Sequence, residues 1–150
     1  MEIERKYILD TLPFELSTYP STHIVQSYIS FFPTLRIRQR NDIYFLTAKG
    51  RGHMAREEFE IEITKEEYLH LHEKIDGFEI AKQRYLIPLE QGLTAELDVY
   101  ENEFQDLYTV EVEFSTVEEA DAFVPPAWFG RDVTMEKQYK NSHMAQHGKI

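Results

Sequence analysis

The chain has no cysteine among its 150 residues. Disulfides, thiolate nucleophiles and cysteine-ligated zinc or iron-sulfur centres are therefore excluded, and nothing calls for an oxidising compartment. Glycine and proline are sparse, at six residues each, which leaves no low-complexity tract. With no linker or internal repeat either, residues 1–150 read as one domain. No apolar run approaches the roughly eighteen residues of a membrane span, and the first residues are charged where a secretory signal needs an apolar stretch. The expectation is a cytoplasmic protein without a membrane partner. Positive charge is also in deficit, with 16 Lys and Arg against 27 Asp and Glu, a formal net charge of −11. A nucleic-acid surface would need the opposite balance. A basic concave site can nevertheless sit inside an acidic exterior. His23, His53, His70, His72, His143 and His147 show no metal-ligand spacing, and Gly50-Arg51-Gly52 lacks the remainder of a phosphate-binding loop.

What the chain does have is charge at every second position. Glu2, Glu4 and Lys6 alternate with Ile3 and Tyr7, and the pattern recurs at Arg36/Arg38/Arg40, Arg56/Glu58/Glu60/Glu62, Lys82/Arg84, Glu96/Asp98 and Glu111/Glu113. Side chains of a β-strand repeat with period two, so each set shares one sheet face. Strands are expected over 1–9, 23–32, 35–39, 43–49, 55–63, 78–88, 93–100 and 107–114, with Asn41-Asp42 as a hairpin turn. Thr64 with Glu67 forms a capping-box pattern ahead of the helically spaced Tyr68, Leu71, His72 and Ile75, and Gly77 ends that segment. Ser115 and Thr116 with Glu118 and Glu119 open a second short helix that Pro125-Pro126 stops. The tail from Val133 shows no period. A sheet of about eight strands must hide its edges, and closure does so completely. The expected fold is a closed eight-stranded antiparallel β-barrel with a few short helices.

One charged row on a sheet is most simply its solvent face. Several rows of both signs facing the same way need another explanation, because like charges gather at a cost unless a ligand or opposite charge shares the space. A polyphosphate carrying a divalent cation satisfies both signs. Arg and Lys neutralise its oxygens, while carboxylates hold a hard cation such as Mg²⁺ or Mn²⁺.

The ordered elements Met1-Glu2-Ile3-Glu4-Arg5-Lys6, Leu35-Arg36-Ile37-Arg38, Leu46-Thr47-Ala48-Lys49-Gly50, Arg56-Glu57-Glu58-Phe59-Glu60, Lys82-Gln83-Arg84, Glu96-Leu97-Asp98, Val110-Glu111-Val112-Glu113 and Tyr139-Lys140-Asn141-Ser142 resemble those of the CYTH superfamily, the triphosphate tunnel metalloenzymes. The resemblance runs through nearly the whole chain. It implies a tunnel that binds a triphosphate with Mg²⁺ or Mn²⁺, and hydrolysis of inorganic triphosphate, with nucleoside or thiamine triphosphate hydrolysis, ATP cyclisation and non-catalytic polyphosphate binding as alternatives. Lys6, Arg36, Arg38, Lys49, Arg56, Lys82 and Arg84 would contact phosphate. Glu2, Glu4, Asp98, Glu111 and Glu113 would hold metal. Catalytic work would fall to Glu2, Glu4, Lys6 and Lys137, with Glu58, Glu60 and Glu96 in support. Gln138 stands where relatives place a basic residue, so Lys137 and Lys140 compete for the inward position. A small anionic phosphate is the expected partner, and a homodimer stays open.

Overall fold

The computed structural model describes residues 2–50 and 57–150. Eight strands, β1 (Glu4–Leu9), β2 (Ser21–Ser30), β3 (Thr34–Arg40), β4 (Ile43–Lys49), β5 (Glu58–Ile63), β6 (Asp76–Pro88), β7 (Thr94–Tyr100) and β8 (Tyr108–Glu113), form one antiparallel sheet in the order β1-β8-β7-β6-β2-β3-β4-β5. Helices α1 (Lys65–His72), α2 (Val117–Ala122) and α3 (Asn141–His147) complete the fold. Among the described residues no helix is long and apolar enough to cross a membrane.

The outer face of the sheet carries the main core. Tyr7, Leu9, Ile87, Ala95, Leu97, Val110 and Val112 project from β1, β6, β7 and β8 and are covered by Leu16, Phe114, Ala120 and Phe129. Each large apolar side chain buried here contributes about 1.5–3 kcal/mol. Ile37 on the same face of β3 is fully buried, and α1 lies against β2, β3 and β4 with Tyr68 seated on Tyr44. The capping box holds as read: Thr64 Oγ1 accepts from the Glu67 N–H, and the Glu67 carboxylate accepts from the Thr64 N–H. Thr116 caps α2 through the Glu119 N–H. A second core of Tyr28, Ile80, Tyr100, Phe104, Met144 and Ala145 docks α3 onto the opposite, inner face. Gly77 makes this docking close, since a Cβ on it would collide with the Ala145 carbonyl, and its φ of 76° suits glycine.

The expected closed barrel is corrected by the pairing. The sheet stays open, because β1 and β5 are its two edges and are not hydrogen-bonded to each other. The reason lies in the outer edge of β1, whose backbone groups are already taken. Ile8 N–H donates to the Arg131 carbonyl at 3.0 Å, Lys6 C=O accepts from Val133 N–H at 2.8 Å, and Lys6 N–H donates to Thr134 Oγ1 at 3.0 Å. With that edge occupied by residues 131–134, β5 has no strand to join, and its outer-face Phe59 and Ile61 stay exposed.

Candidate functional site

Antiparallel register brings directly opposed residues to one face, and the pairings assemble the charged rows without a break. Glu4 opposes Glu113 and Lys6 opposes Glu111 between β1 and β8; Glu111 opposes Glu96 between β8 and β7; Asp98 opposes Arg84 and Tyr100 opposes Lys82 between β7 and β6. On the other side Gln26 opposes Arg38, Arg36 opposes Thr47, Thr34 opposes Lys49, Thr47 opposes Glu60 and Lys49 opposes Glu58. Glu4, Glu58, Glu60 and Glu113 are exposed, but part of this face is shut off from water. Lys6, Arg36, Lys82 and Asp98 are buried, so the sheet curls over them.

Two zones result. Strands β3 and β6 supply a basic strip, in which Arg36 pairs with Glu58 at 4.0 Å and Arg38 with Glu60 at 3.4 Å. Glu60 also accepts from Thr47 Oγ1 at 2.9 Å. Burial, and then repulsion from Arg36, lower the Arg38 guanidinium to about 10; Arg84, two strands away, pushes in the same direction. The strip is a crowd of cations that favours an anion.

At its centre Asp98 is fully enclosed and accepts from both basic neighbours. Arg84 donates through Nε at 2.8 Å and through a terminal nitrogen at 2.9 Å, the two-point fork that suits a guanidinium, and Lys82 Nζ lies 2.8 Å from Asp98 Oδ2. Burial works against the Asp98 charge, but Lys82 and Arg84 outweigh it and hold the carboxyl at about 2. Burial pushes the Lys82 ammonium toward losing its proton, and the Asp98 contact opposes that. Arg84 reaches Glu96 as well, at 2.7 Å.

The second zone is a corner of carboxylates on β7, β8 and β1. Lys6 Nζ lies 3.5 Å from Glu111 and donates to the Tyr139 carbonyl at 2.6 Å. Glu111 is held ionised below its ordinary value: burial opposes this, and Lys6 and Lys82 prevail. Glu4 keeps access to solvent, yet enclosure by the protein and the facing Glu111 push its carboxyl up to about 8, with a hydrogen bond between the two side chains. Two ionised carboxylates at this place would repel one another. A divalent cation fits the same place by donor chemistry, since hard cations prefer carboxylate oxygen and Mg²⁺ takes few protein ligands, completing its shell with water and phosphate. Among the described residues no group of three His, Cys, Asp or Glu forms a finished cation cage. A cleft lined by Leu86, Thr94, Glu96, Glu113 and Phe114 opens beside this corner.

Of the residues singled out from the sequence, Glu4, Lys6, Arg36, Arg38, Lys49, Glu58, Glu60, Lys82, Arg84, Glu96, Asp98, Glu111 and Glu113 come to the one face. Glu2 is exposed ahead of β1, close enough for its charge to act on Glu4. Lys137 begins the 3-10 turn Lys137–Tyr139 and is exposed, as is Lys140. Arg56 lies outside the described residues. Sequence reasoning passed over Thr47, fully buried beneath Glu60, and Gln26, also buried on this face. Thr47 stood inside a quoted motif, while Gln26, uncharged in a β-branched run, gave no signal before its register with Arg38 was known.

A buried basic strip beside a carboxylate corner, on eight antiparallel strands, defines the class. The chain belongs to the CYTH superfamily of triphosphate tunnel metalloenzymes. It is 40% identical over 149 residues to an inorganic triphosphatase of Nitrosomonas europaea, covering 96% of both chains. It is 33% identical over 149 residues to an inorganic triphosphatase of Acetivibrio thermocellus, covering 97% of this chain and 93% of that one. A solved inorganic triphosphatase structure matches with a TM-score of 0.78 at 36% identity, over 97% of this chain and 95% of the other. No family model matches the chain.

Proposed function

We propose that this protein is a metal-dependent inorganic triphosphatase that cleaves triphosphate to diphosphate and phosphate. The observation that carries the reading is the strip of Arg36, Arg38, Lys82 and Arg84, the first and third buried and the other two half-buried, adjoining the Glu4/Glu111 corner on one face. So many cations gathered on one face can grip a single highly anionic ligand, with the protein's own carboxylates holding them in place meanwhile.

In this reading Lys6, Arg36, Arg38, Lys49, Lys82 and Arg84 grip phosphate oxygens and stabilise charge on the transferring phosphoryl group and on the departing diphosphate. Asp98 positions Lys82 and Arg84 through its three contacts, and Glu58 and Glu60 do the same for Arg36 and Arg38. Glu4 and Glu111 would hold Mg²⁺ or Mn²⁺, with Glu2 and Glu113 at the rim. When bound, the cation adds positive charge at the phosphate oxygens and makes nearby water more acidic. The water oxygen bonds to a terminal phosphorus, the bond to the bridging oxygen breaks with its electron pair leaving on diphosphate, and the water's proton passes to solvent. Lys137, at the tail, is a candidate for the terminal phosphoryl group. No side-chain nucleophile is needed.

The test is a comparison of initial rates on tripolyphosphate, ATP and thiamine triphosphate at fixed free Mg²⁺ and then Mn²⁺, with products identified. Equal amounts of diphosphate and phosphate from tripolyphosphate, formed far faster than ATP is consumed, are expected. Cyclic AMP from ATP with no phosphate released from tripolyphosphate would overturn the proposal.

A further inference from the structure

Gln26 is 2% exposed on β2, and its side-chain Nε2 has no hydrogen-bond partner. Leaving a buried donor unmade is costly, so such a group needs a reason. Its place supplies one. Register sets Gln26 opposite Arg38 on one side and Ile80 on the other, at the border between the basic strip and the apolar cluster that docks α3. The neighbouring Arg36 Nε and Arg38 Nε are likewise buried and unpartnered. Three buried N–H donors on two adjacent strands of this face are thus without a partner among the described residues. Glu58 and Glu60 occupy only the terminal nitrogens of the two arginines.

We infer that Gln26 is a substrate-contacting residue whose amide N–H donates to a phosphate oxygen also gripped by Arg38. The inference rests on the triphosphate reading above. A neutral donor suits this position: Arg36, Arg38 and Arg84 already repel one another, and an amide adds a hydrogen bond without a further charge. Ile80 and Tyr28, buried beside it on the same face, keep competing water away, which strengthens that bond.

The experiment compares wild type with Gln26→Met, which keeps length and volume but removes the donor. Steady-state kinetics with tripolyphosphate and Mg²⁺ are run beside thermal melting of the protein alone. The expected result is a rise in KM of about tenfold or more, the loss of one hydrogen bond to a charged group, with a melting temperature at or above that of wild type. A structural glutamine would give the reverse, a lowered melting temperature with kcat/KM per folded molecule intact, and that result overturns the inference. Wild-type kcat/KM with unchanged melting overturns it as well. Should the Met variant fail to fold, Gln26→Glu preserves shape and sets a carboxylate against the phosphate; KM must rise further, and an unchanged value sinks the assignment. Should wild type itself leave tripolyphosphate intact, the functional reading fails separately. Calorimetric binding of tripolyphosphate then decides on Gln26 alone: weaker binding by the Met variant supports the contact, and equal binding refutes it.

Discussion

Asp98→Asn should damage stability before it damages chemistry. Asp98 and Lys82 are 0% and 1% exposed, and Asp98 receives Lys82 Nζ at 2.8 Å together with both prongs of Arg84. The amide keeps the shape but removes the charge, which leaves an ammonium buried without its counter-ion. Breaking such a pair from one side costs about 3–5 kcal/mol, against a total stability of about 5–15 kcal/mol for a domain. The melting temperature should fall by about 6–20 °C, at roughly 2–4 °C per kcal/mol for a chain this long. Urea denaturation of metal-free protein at neutral pH measures the loss directly. Adding Lys82→Met should recover much of it, because the double variant no longer buries an unpaired cation and Arg84 keeps Glu96. The acid limb gives a second reading. Asp98 is depressed from 3.8 to about 2 in the folded state, so its contribution is complete above pH 3.8 and vanishes as pH falls through about 2. The variant should lose that slope. A single variant within about 1 kcal/mol of wild type would refute the reasoning, for it would mean that Lys82 needs no counter-ion. Loss confined to metal-induced stabilisation would assign Asp98 to a cation instead of to its basic neighbours.

Other substitutions separate the roles on the charged face. Arg38→Met removes a guanidinium that burial and Arg36 already disfavour; stability should hold within about 1 kcal/mol, while kcat/KM for tripolyphosphate falls by about 100- to 1000-fold. Glu4→Gln removes a charge that enclosure by the protein and the nearby Glu111 already disfavour. Metal-free melting should therefore barely move while Mg²⁺-dependent turnover is lost, and chelation of the wild type by EDTA should abolish turnover until Mg²⁺ or Mn²⁺ is restored. Gly77→Ala forces a Cβ toward the Ala145 carbonyl at a positive φ, so it should cost about 2 kcal/mol or more by urea denaturation and loosen α3 from Tyr28 and Ile80.

The charged face was legible in the sequence because the period of a strand admits only one alternative face, and a one-residue slip would have moved every charge to the core side. Once Ile3 and Tyr7, or Leu97 and Val99, were read as apolar, Glu4, Lys6, Glu96 and Asp98 had to share the other wall. The capping box at Thr64 was legible for a similar reason, since both of its partners lie within four residues. Helix α3 was not. Its seven residues are held by Met144 and Ala145 against Tyr28, Ile80 and Tyr100, contacts distant in sequence that leave no local period. The division of labour within the face was also out of reach. Asp98 and Glu111 are both acids at alternating positions, and only the pairing shows that one answers to Lys82 and Arg84 while the other meets Glu4 and Lys6.

The open sheet follows from a competition that composition does not encode. Closing the barrel would require β5 to satisfy the outer edge of β1, and residues 131–134 satisfy it first, through backbone bonds to Ile8 and Lys6, the Thr134 hydroxyl and the Arg5 to Asp132 pair at 2.7 Å. The same tail then continues inward: Tyr139 takes the Lys6 ammonium through its carbonyl, and Asn141 accepts from the Tyr100 hydroxyl. One segment therefore both prevents closure and covers one end of the charged face. A face left open along β5 and covered near β1 still buries its cations, because burial here comes from the curl of the sheet and from α3. Edge-to-edge pairing is not needed for it. An uninterrupted ring of strands is accordingly not a condition for bringing Lys6, Arg38, Lys82 and Arg84 to one face.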